Sequence, residues 1–369
     1  MSATAAKDVL GVESHTGPKE PPPPVLNVEK HVGFLLHHLK CLPTPYASQE
    51  SNRITLLYFV LSSLDVLGAI DKVDKAPIIE WVYALQLLSC SKDPEKNTGL
   101  TGWRGSLSIG APYNPTGEAK HECVPHDRSH IAMVYTALCV LALLEDDFSR
   151  VNRKGVIAGL RTLQQENGSF APTAGGSESD MRFVYCAFAI STLLNDWSGV
   201  NVDRAIEYIL SSQSYESSIG QGPSQEGHGG STYCAVAALQ LAGKLDLLPR
   251  HGELVEWCVN RQSHGFNGRC NKDADTCYSF WVGGTLQMLT ADASSLIDYQ
   301  LCTSFTFCCE GKETGGFAKV PGNPPDVLHT YYSLCGISIL DPRYQLAELH
   351  VPLSITKRAH THLMNNIWK

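Results

Sequence analysis

Two kinds of apolar pattern alternate along this chain. Segments such as Val202-Asp-Arg-Ala-Ile-Glu-Tyr-Ile-Leu210 place apolar residues at helical spacing on one side and polar residues on the other. Segments such as Ser231 to Leu241 are apolar nearly all round, and a helix without a polar face belongs inside a fold. Each apolar segment follows a glycine turn: Gly102-Trp-Arg-Gly105, Gly168-Ser-Phe170, Gly220-Gln-Gly222, Gly265-Phe-Asn-Gly268 and Gly315-Gly-Phe317. Several turns come after a helix end that carries a glutamine, Gln164, Gln213 or Gln262. The tyrosines heading the apolar segments, Tyr135, Tyr185, Tyr233, Tyr278 and Tyr331, recur 45 to 53 residues apart. A period near fifty with two helical patterns per unit predicts stacked helical hairpins. An earlier unit fits Arg53 to Tyr58, with a degenerate insertion near residues 91–126.

Amphipathic helices outside and apolar helices inside predict an all-α fold, an α6/α6 barrel. The loops before the inner helices would gather at one rim. Strand patterns are almost absent. An open superhelical solenoid is the alternative arrangement. Residues 1–25, ending in Pro21 to Pro24, read as an extended or disordered tail, and 26–369 as a single barrel domain.

Composition narrows the class. The net charge is −8 with scattered basic residues, which does not favour nucleic acid as a partner. No apolar run reaches the roughly 18–20 residues of a membrane span, and Met1 to Lys19 lack a signal-peptide core. The 13 cysteines lie mostly in apolar stretches (Cys139, Cys186, Cys234, Cys335), as expected of reduced core thiols in a cytoplasmic protein.

The candidate chemistry sits at the rim. Asp275 and Cys277 precede one inner helix, and His329 lies at the same place one repeat later, so the three are expected to be neighbours. A carboxylate, a thiolate and an imidazole suit zinc, and three protein ligands leave it one open position. The bland reading of the pair is a helix cap and a core thiol. Arg269, Lys272, Tyr278 and His228 occupy neighbouring rim positions and could hold a phosphate or diphosphate, although each alone reads as a solvated surface group. Tyr58, Phe59, Trp103, Phe183, Tyr185, Trp281, Tyr331 and Tyr332 are expected to line a long apolar cavity.

These motifs are specific. Gly227-His-Gly-Gly230, Gly265-Phe-x-Gly-Arg-x-Asn-Lys272, Asp275-x-Cys-Tyr278 and Gly315-Gly-Phe with Asp326-x-x-His329 resemble the β subunits of protein prenyltransferases over about residues 28 to 350. The resemblance implies an α6/α6 barrel and a partner α subunit. It also implies a zinc ion on Asp275, Cys277 and His329, and transfer of an isoprenoid from its diphosphate to a protein cysteine. His228, Arg269, Lys272 and Tyr278 would take the diphosphate. Arg182 would lie along the isoprenoid pocket, and His130, Glu178 and Arg182 would anchor the end of a Cys-a-a-X peptide.

Within the family the chain is most similar to the type I geranylgeranyltransferase class. This implies geranylgeranyl diphosphate as donor and the Cys-a-a-Leu tails of small GTPases of the Rho, Rac and Rap type as acceptors. Lys319 stands where the other classes have an aspartate that could hold Mg²⁺, so magnesium is not expected to be required. Thr55 replaces a tryptophan of the farnesyltransferases and leaves room for a fourth isoprene unit. Tyr332 points the other way, because it matches farnesyltransferase. A farnesyltransferase β subunit and a non-catalytic helical scaffold are the alternatives. A terpene cyclase would need an Asp-x-Asp-Asp motif, and Asp273-Ala-Asp-Thr276 lacks its last acid.

Overall fold

A computed structural model describes residues 23–88, 101–108 and 128–368. Most of the expected tail and insertion lies outside the described residues. In chain order the helices are α1 (Val28–Lys40), α2 (Arg53–Val66), α3 (Lys75–Ala84), α4 (Ile131–Leu143), α5 (Arg153–Leu163) and α6 (Met181–Leu194). They continue with α7 (Val202–Ser211), α8 (Gly229–Leu241), α9 (His251–Val259), α10 (Tyr278–Leu289), α11 (Tyr299–Cys308), α12 (Val327–Leu340) and a short α13 (Lys357–His362). The even-numbered helices α2 to α12 pack side by side in order, and α12 returns to α2. The ring is therefore closed, which excludes the open solenoid.

Burial follows the two sequence patterns. In α4 every residue but Ala132 is buried, whereas α7 buries one face through Ala205, Ile206, Tyr208 and Ile209. Asparagine or aspartate caps several outer helices: Asn152, Asn201 and Asp298 accept backbone N–H groups of Gly155, Arg204 and Leu301 at 3.0, 3.2 and 2.9 Å.

The recurrent glutamine has a mechanical role. Gln164 accepts the N–H of Asn201 at 2.8 Å and donates to its carbonyl at 2.9 Å, so one amide grips the cap of the next outer helix. Gln262 does the same to Asp298 at 2.9 and 2.6 Å, and Gln213 reaches Pro249 O at 3.0 Å. Gln86 belongs to the series too, accepting from Asn152 N and donating to Arg150 O. The joint that closes the ring, from the last repeat back to α1, differs. Glu310 takes the glutamine's place with its carboxylate 3.2 Å from the buried His31 Nε2, though not aligned for a hydrogen bond. His31 Nδ1 accepts from Gly316 N at 2.9 Å, and its ring stacks on Phe317.

Among the described residues there are two short antiparallel ladders, β1 (Gln86–Leu87) with β2 (Gly102–Trp103) and β3 (Leu349–His350) with β4 (Ile355–Thr356). Trp103 does not line a cavity as expected. It is fully buried behind β1, where its Nε1 donates to Val82 O of α3 at 2.9 Å, so it fastens an outer helix. The chain's last segment covers the C-terminal ends of the inner helices. Ala347 N donates to Val66 O, Arg358 Nη2 to Leu143 O, and Trp368 Nε1 to Leu193 O. Among the described residues, no helix is long and apolar enough to cross a membrane.

Candidate active site

The opposite end of the ring is built from the residues that cap the inner helices. His130 Nδ1 accepts from Ala132 N at the start of α4, Asp180 from Arg182 N at α6, His228 Nδ1 from Gly230 N at α8, and Asp326 from His329 N at α12. At α10 the amide of Cys277 is taken by Asp275 Oδ1 at 2.9 Å. Neighbouring rim loops are stitched together by backbone bonds: Ile131 N to Pro172 O, Met181 N to Gln221 O, Gly229 N to Gly268 O and Thr276 N to Lys319 O. The inner helices thus point their N-termini at one rim, and their aligned dipoles favour negative charge there.

Asp275, Cys277 and His329 meet at this rim, their ligand atoms all within 4.8 Å of one another. Asp275 and Cys277 are each 8% exposed. His329 Nε2 lies 3.5 Å from Asp275 Oδ1, while its Nδ1 is 2.6 Å from Asp326 Oδ2. A carboxylate on the far nitrogen fixes the ring and leaves Nε2 facing inward, the usual support for a metal-ligating histidine. Burial would depress the His329 pKa, but hydrogen bonds to Asp275 and Asp326 carry it up to about 9. Burial, reinforced by the Asp275 carboxylate, pushes the Cys277 thiol well above its ordinary range. Two potential anions beside a half-buried imidazole fit a divalent cation, which would hold both as ligands. Lys319 Nζ stands 3.7 Å from Asp275 Oδ2, its side chain more than half exposed.

The expected anion donors line the next arc of the rim. His228 Nε2 is 2.9 Å from Tyr278 Oη. Because Nδ1 already accepts from backbone, the ring proton lies on Nε2 and is donated to the tyrosine oxygen. That leaves the Tyr278 proton free to point at a ligand. Burial, and next Arg269, lowers the His228 pKa, consistent with a neutral ring. Arg269 is paired with Glu226 at 3.0 Å, and Lys272 is exposed.

Arg182 is gripped by Asp180 at 2.6 Å and Glu178 at 2.7 Å, with its guanidinium 5.1 Å from the Phe183 ring. His130 sits edge-on to Phe183 at 5.9 Å. Thr55 is half-buried on α2 and lines a cavity of about 1100 Å³ together with Phe59, Met133, Leu328 and His329. The wall beyond is aromatic: Tyr332 packs on Trp281 at 4.3 Å and on Phe59 at 5.6 Å.

Three contributors were not singled out from the sequence: Asp326 as the partner of His329, Asp180 as the clamp on Arg182, and Glu226 on Arg269. An aspartate directly before an apolar run marks a helix cap and would have identified the first two. Glu226 carries no such signal.

Comparison with known proteins agrees with this architecture. Residues 26–355 match the family model of the prenyltransferase alpha-alpha toroid domain. The chain is 40% identical over 332 residues to an Arabidopsis thaliana protein named geranylgeranyl transferase type-1 subunit beta, covering 86% of each chain. It is 41% identical over 320 residues to the Dictyostelium discoideum protein of the same name, covering 85% of this chain and 90% of that one. The solved Candida albicans protein geranylgeranyltransferase-I complexed with GGPP shares the fold, with a TM-score of 0.80 at 24% identity over 93% of this chain and all of that one. The chain thus belongs to the prenyltransferase alpha-alpha toroid family, among the type-1 geranylgeranyl transferase β subunits.

Proposed function

We propose that this chain is the catalytic β subunit of a zinc-dependent, cytoplasmic protein geranylgeranyltransferase of type I, active as a heterodimer with a prenyltransferase α subunit. Its substrates are geranylgeranyl diphosphate and the Cys-a-a-Leu tails of small GTPases. The observation that carries this reading is the convergence of Asp275, Cys277 and His329 at one rim, where His329 also lines a cavity with Thr55 and Phe59. The names of the two relatives support the same class of reaction.

Asp275, Cys277 and His329 would hold zinc. When bound, zinc would lower the pKa of a substrate thiol so that it stays nucleophilic near neutral pH. The cysteine sulfur then bonds to C1 of the isoprenoid while the C1–O bond breaks and its electron pair leaves with the diphosphate. Tyr278, oriented by His228, shares the departing charge with Arg269, Lys272 and Lys319. Lys319 supplies a fixed positive charge, so Mg²⁺ is not needed. The apolar wall from Thr55 to Trp281 keeps water away from C1, while His130, Glu178 and Arg182 serve the peptide end.

Farnesyl transfer is the second reading, favoured by Tyr332, whose ring narrows the space beside Trp281. The deciding experiment uses the chain co-purified with a prenyltransferase α subunit. Metal content is measured first, then geranylgeranyl and farnesyl transfer to a Cys-a-a-Leu peptide without added Mg²⁺. Bound zinc with geranylgeranyl preference is expected, and Cys277→Ala should lose both zinc and transfer. Farnesyl preference would support the second reading. A soluble heterodimer without zinc or transfer would leave a scaffold.

A further inference from the structure

The loop that precedes α8 does more than supply His228. Two of its side chains reach across to the loop and helix start at α10. His228 Nε2 lies 2.9 Å from Tyr278 Oη, and Glu226 Oε2 accepts from Arg269 Nη1 at 3.0 Å. The two loops are already stitched by Gly229 N donating to Gly268 O at 2.8 Å. Tyr278 lies so close over this seam that a Cβ on Gly268 would come within 2.0 Å of its ring. The residue after Arg269 is pinned separately, with Cys270 Sγ accepting from Arg261 Nη1 at 3.1 Å and lying 3.6 Å from Glu216 Oε1.

The Glu226–Arg269 pair is therefore not what holds the loops together. Its side chains are 57% and 41% exposed, and ion pairs that stay in contact with water add little to stability. What the pair changes is charge. Among the described residues assigned to the diphosphate, only Arg269 is hydrogen-bonded to a carboxylate. The charges of both Arg269 and Glu226 act on the His228 ring, so this carboxylate stands among the anion donors themselves. A diphosphate offers the guanidinium oxygens of the same charge and geometry as a carboxylate does. Two anions crowded onto one guanidinium repel each other, and the repulsion is appreciable at contact distances near a protein surface.

We infer that Glu226 is the resident counter-ion of Arg269: the diphosphate displaces it on arrival, and it takes the guanidinium back as the diphosphate leaves. This deepens the prenyl-transfer reading above and rests on it, since that reading assigns Arg269 to the diphosphate. Glu226 is a positioning residue, because it acts through Arg269 and touches no reacting atom. Its carboxylate weakens the hold on free diphosphate, which is a product of the reaction. An arc of bare cations would retain that product, whereas an arc with a built-in rival anion lets it go.

The test uses the chain co-purified with a prenyltransferase α subunit. Wild type is compared with Glu226→Gln, Glu226→Asp, Arg269→Ala, the double variant Glu226→Gln/Arg269→Ala, and Glu256→Gln as control. Glu256 is exposed on the outer helix α9, away from the rim loops. Binding of geranylgeranyl diphosphate and its displacement by inorganic diphosphate are measured first, then KM for each substrate in transfer. Glu226→Gln is expected to bind both diphosphates about tenfold more tightly, the scale on which one adjacent charge moves affinity. KM for the Cys-a-a-Leu peptide and the zinc content should not change. Glu226→Asp keeps the charge and should stay within about threefold of wild type, and Glu256→Gln should match wild type. Without Arg269 the rival anion has nothing to compete for, so in that background Glu226→Gln should add less than about twofold. Diphosphate binding by Glu226→Gln that is weaker than wild type, or within about twofold of it, would overturn the inference. A tenfold gain that persists without Arg269 would overturn it too. A wild-type heterodimer that transfers no isoprenoid would instead strike the prenyl-transfer reading. The comparison of the four Glu226 and Arg269 combinations with inorganic diphosphate would still decide whether the two anions exchange on Arg269.

Discussion

Asp326 binds His329 twice: Oδ1 accepts the backbone N–H at 2.9 Å, and Oδ2 holds the ring Nδ1 at 2.6 Å. One carboxylate therefore starts α12 and aims the imidazole at Asp275. Asp326→Ala is expected to weaken zinc binding about 10- to 100-fold, the usual cost of losing such an orienting partner. Loss of the cap should also reduce stability by about 1 kcal/mol. Asp326→Asn keeps an oxygen for the cap and should recover most of the stability but not the affinity. Chelator competition reads the affinity. Equal zinc binding by wild type and the alanine variant would remove Asp326 from the site.

Lys319 places an ammonium 3.7 Å from Asp275 without being buried by it. On the proposed mechanism, Lys319→Asp removes a charge assigned to the leaving diphosphate and supplies a carboxylate that could share a cation. Transfer without magnesium is expected to fall by about 10- to 100-fold, in the range of losing one charge-stabilising group, and to recover as magnesium is titrated in. A rate that stays flat across the titration would mean Lys319 does not stand in for a metal.

Thr55 is a small residue lining the cavity together with Phe59 and Met133, and its hydroxyl lies 3.4 Å from Met133 Sδ. Thr55→Trp should fill that space. Geranylgeranyl transfer is expected to drop about 100-fold relative to farnesyl, the scale on which a pocket discriminates by a few carbons. Competition between the two diphosphates in one tube measures the ratio directly, and an unchanged ratio would place the length limit elsewhere.

His350 stacks on His360 with ring centroids 3.9 Å apart. Burial, and then the neighbouring His360, depresses its pKa from 6.5 to about 3. Burial lowers His360 as well. The unfolded chain takes up these protons first, so the stabilisation is complete above about pH 6.5 and is lost as the pH falls toward 3. Each fully titrating histidine contributes a slope of up to about 1.4 kcal/mol per pH unit, reduced here by partial exposure. Denaturant unfolding over this range should show a shallower acid limb for His350→Phe than for wild type. Parallel limbs would mean the ring titrates normally in the folded protein.

The barrel was readable because one class of helix carries a polar face and the other does not, and the repeat register brought Asp275, Cys277 and His329 to one place. What stayed hidden depended on contacts without a local pattern. Gln86 lies far from its glycine turn in sequence, so its kinship with Gln164 shows only in the shared grip on the next helix cap. Trp103 looked like a pocket residue because aromatic character does not reveal which side of an outer helix it faces. The segment Val351–Ser354 has no helical period, and its partners are hydroxyls from four helices spread over Tyr58 to Tyr331. Glu310 breaks the glutamine series, and the His31 it meets lies near the other end of the chain, so no local pattern joins them.

That last pair has a consequence for how the ring is assembled. If every joint used the same glutamine grip, a unit could be gained or lost and the ends would still find an equivalent partner. The carboxylate of Glu310 instead meets an imidazole on the first helix, and His31 is anchored there through Gly316 and Phe317. The final joint ties the last repeat to the first helix with its own pair of groups, as a clasp differs from the links of its chain. Among the described residues, six pairs of helices are thus shut into a ring by a joint chemically unlike those between them.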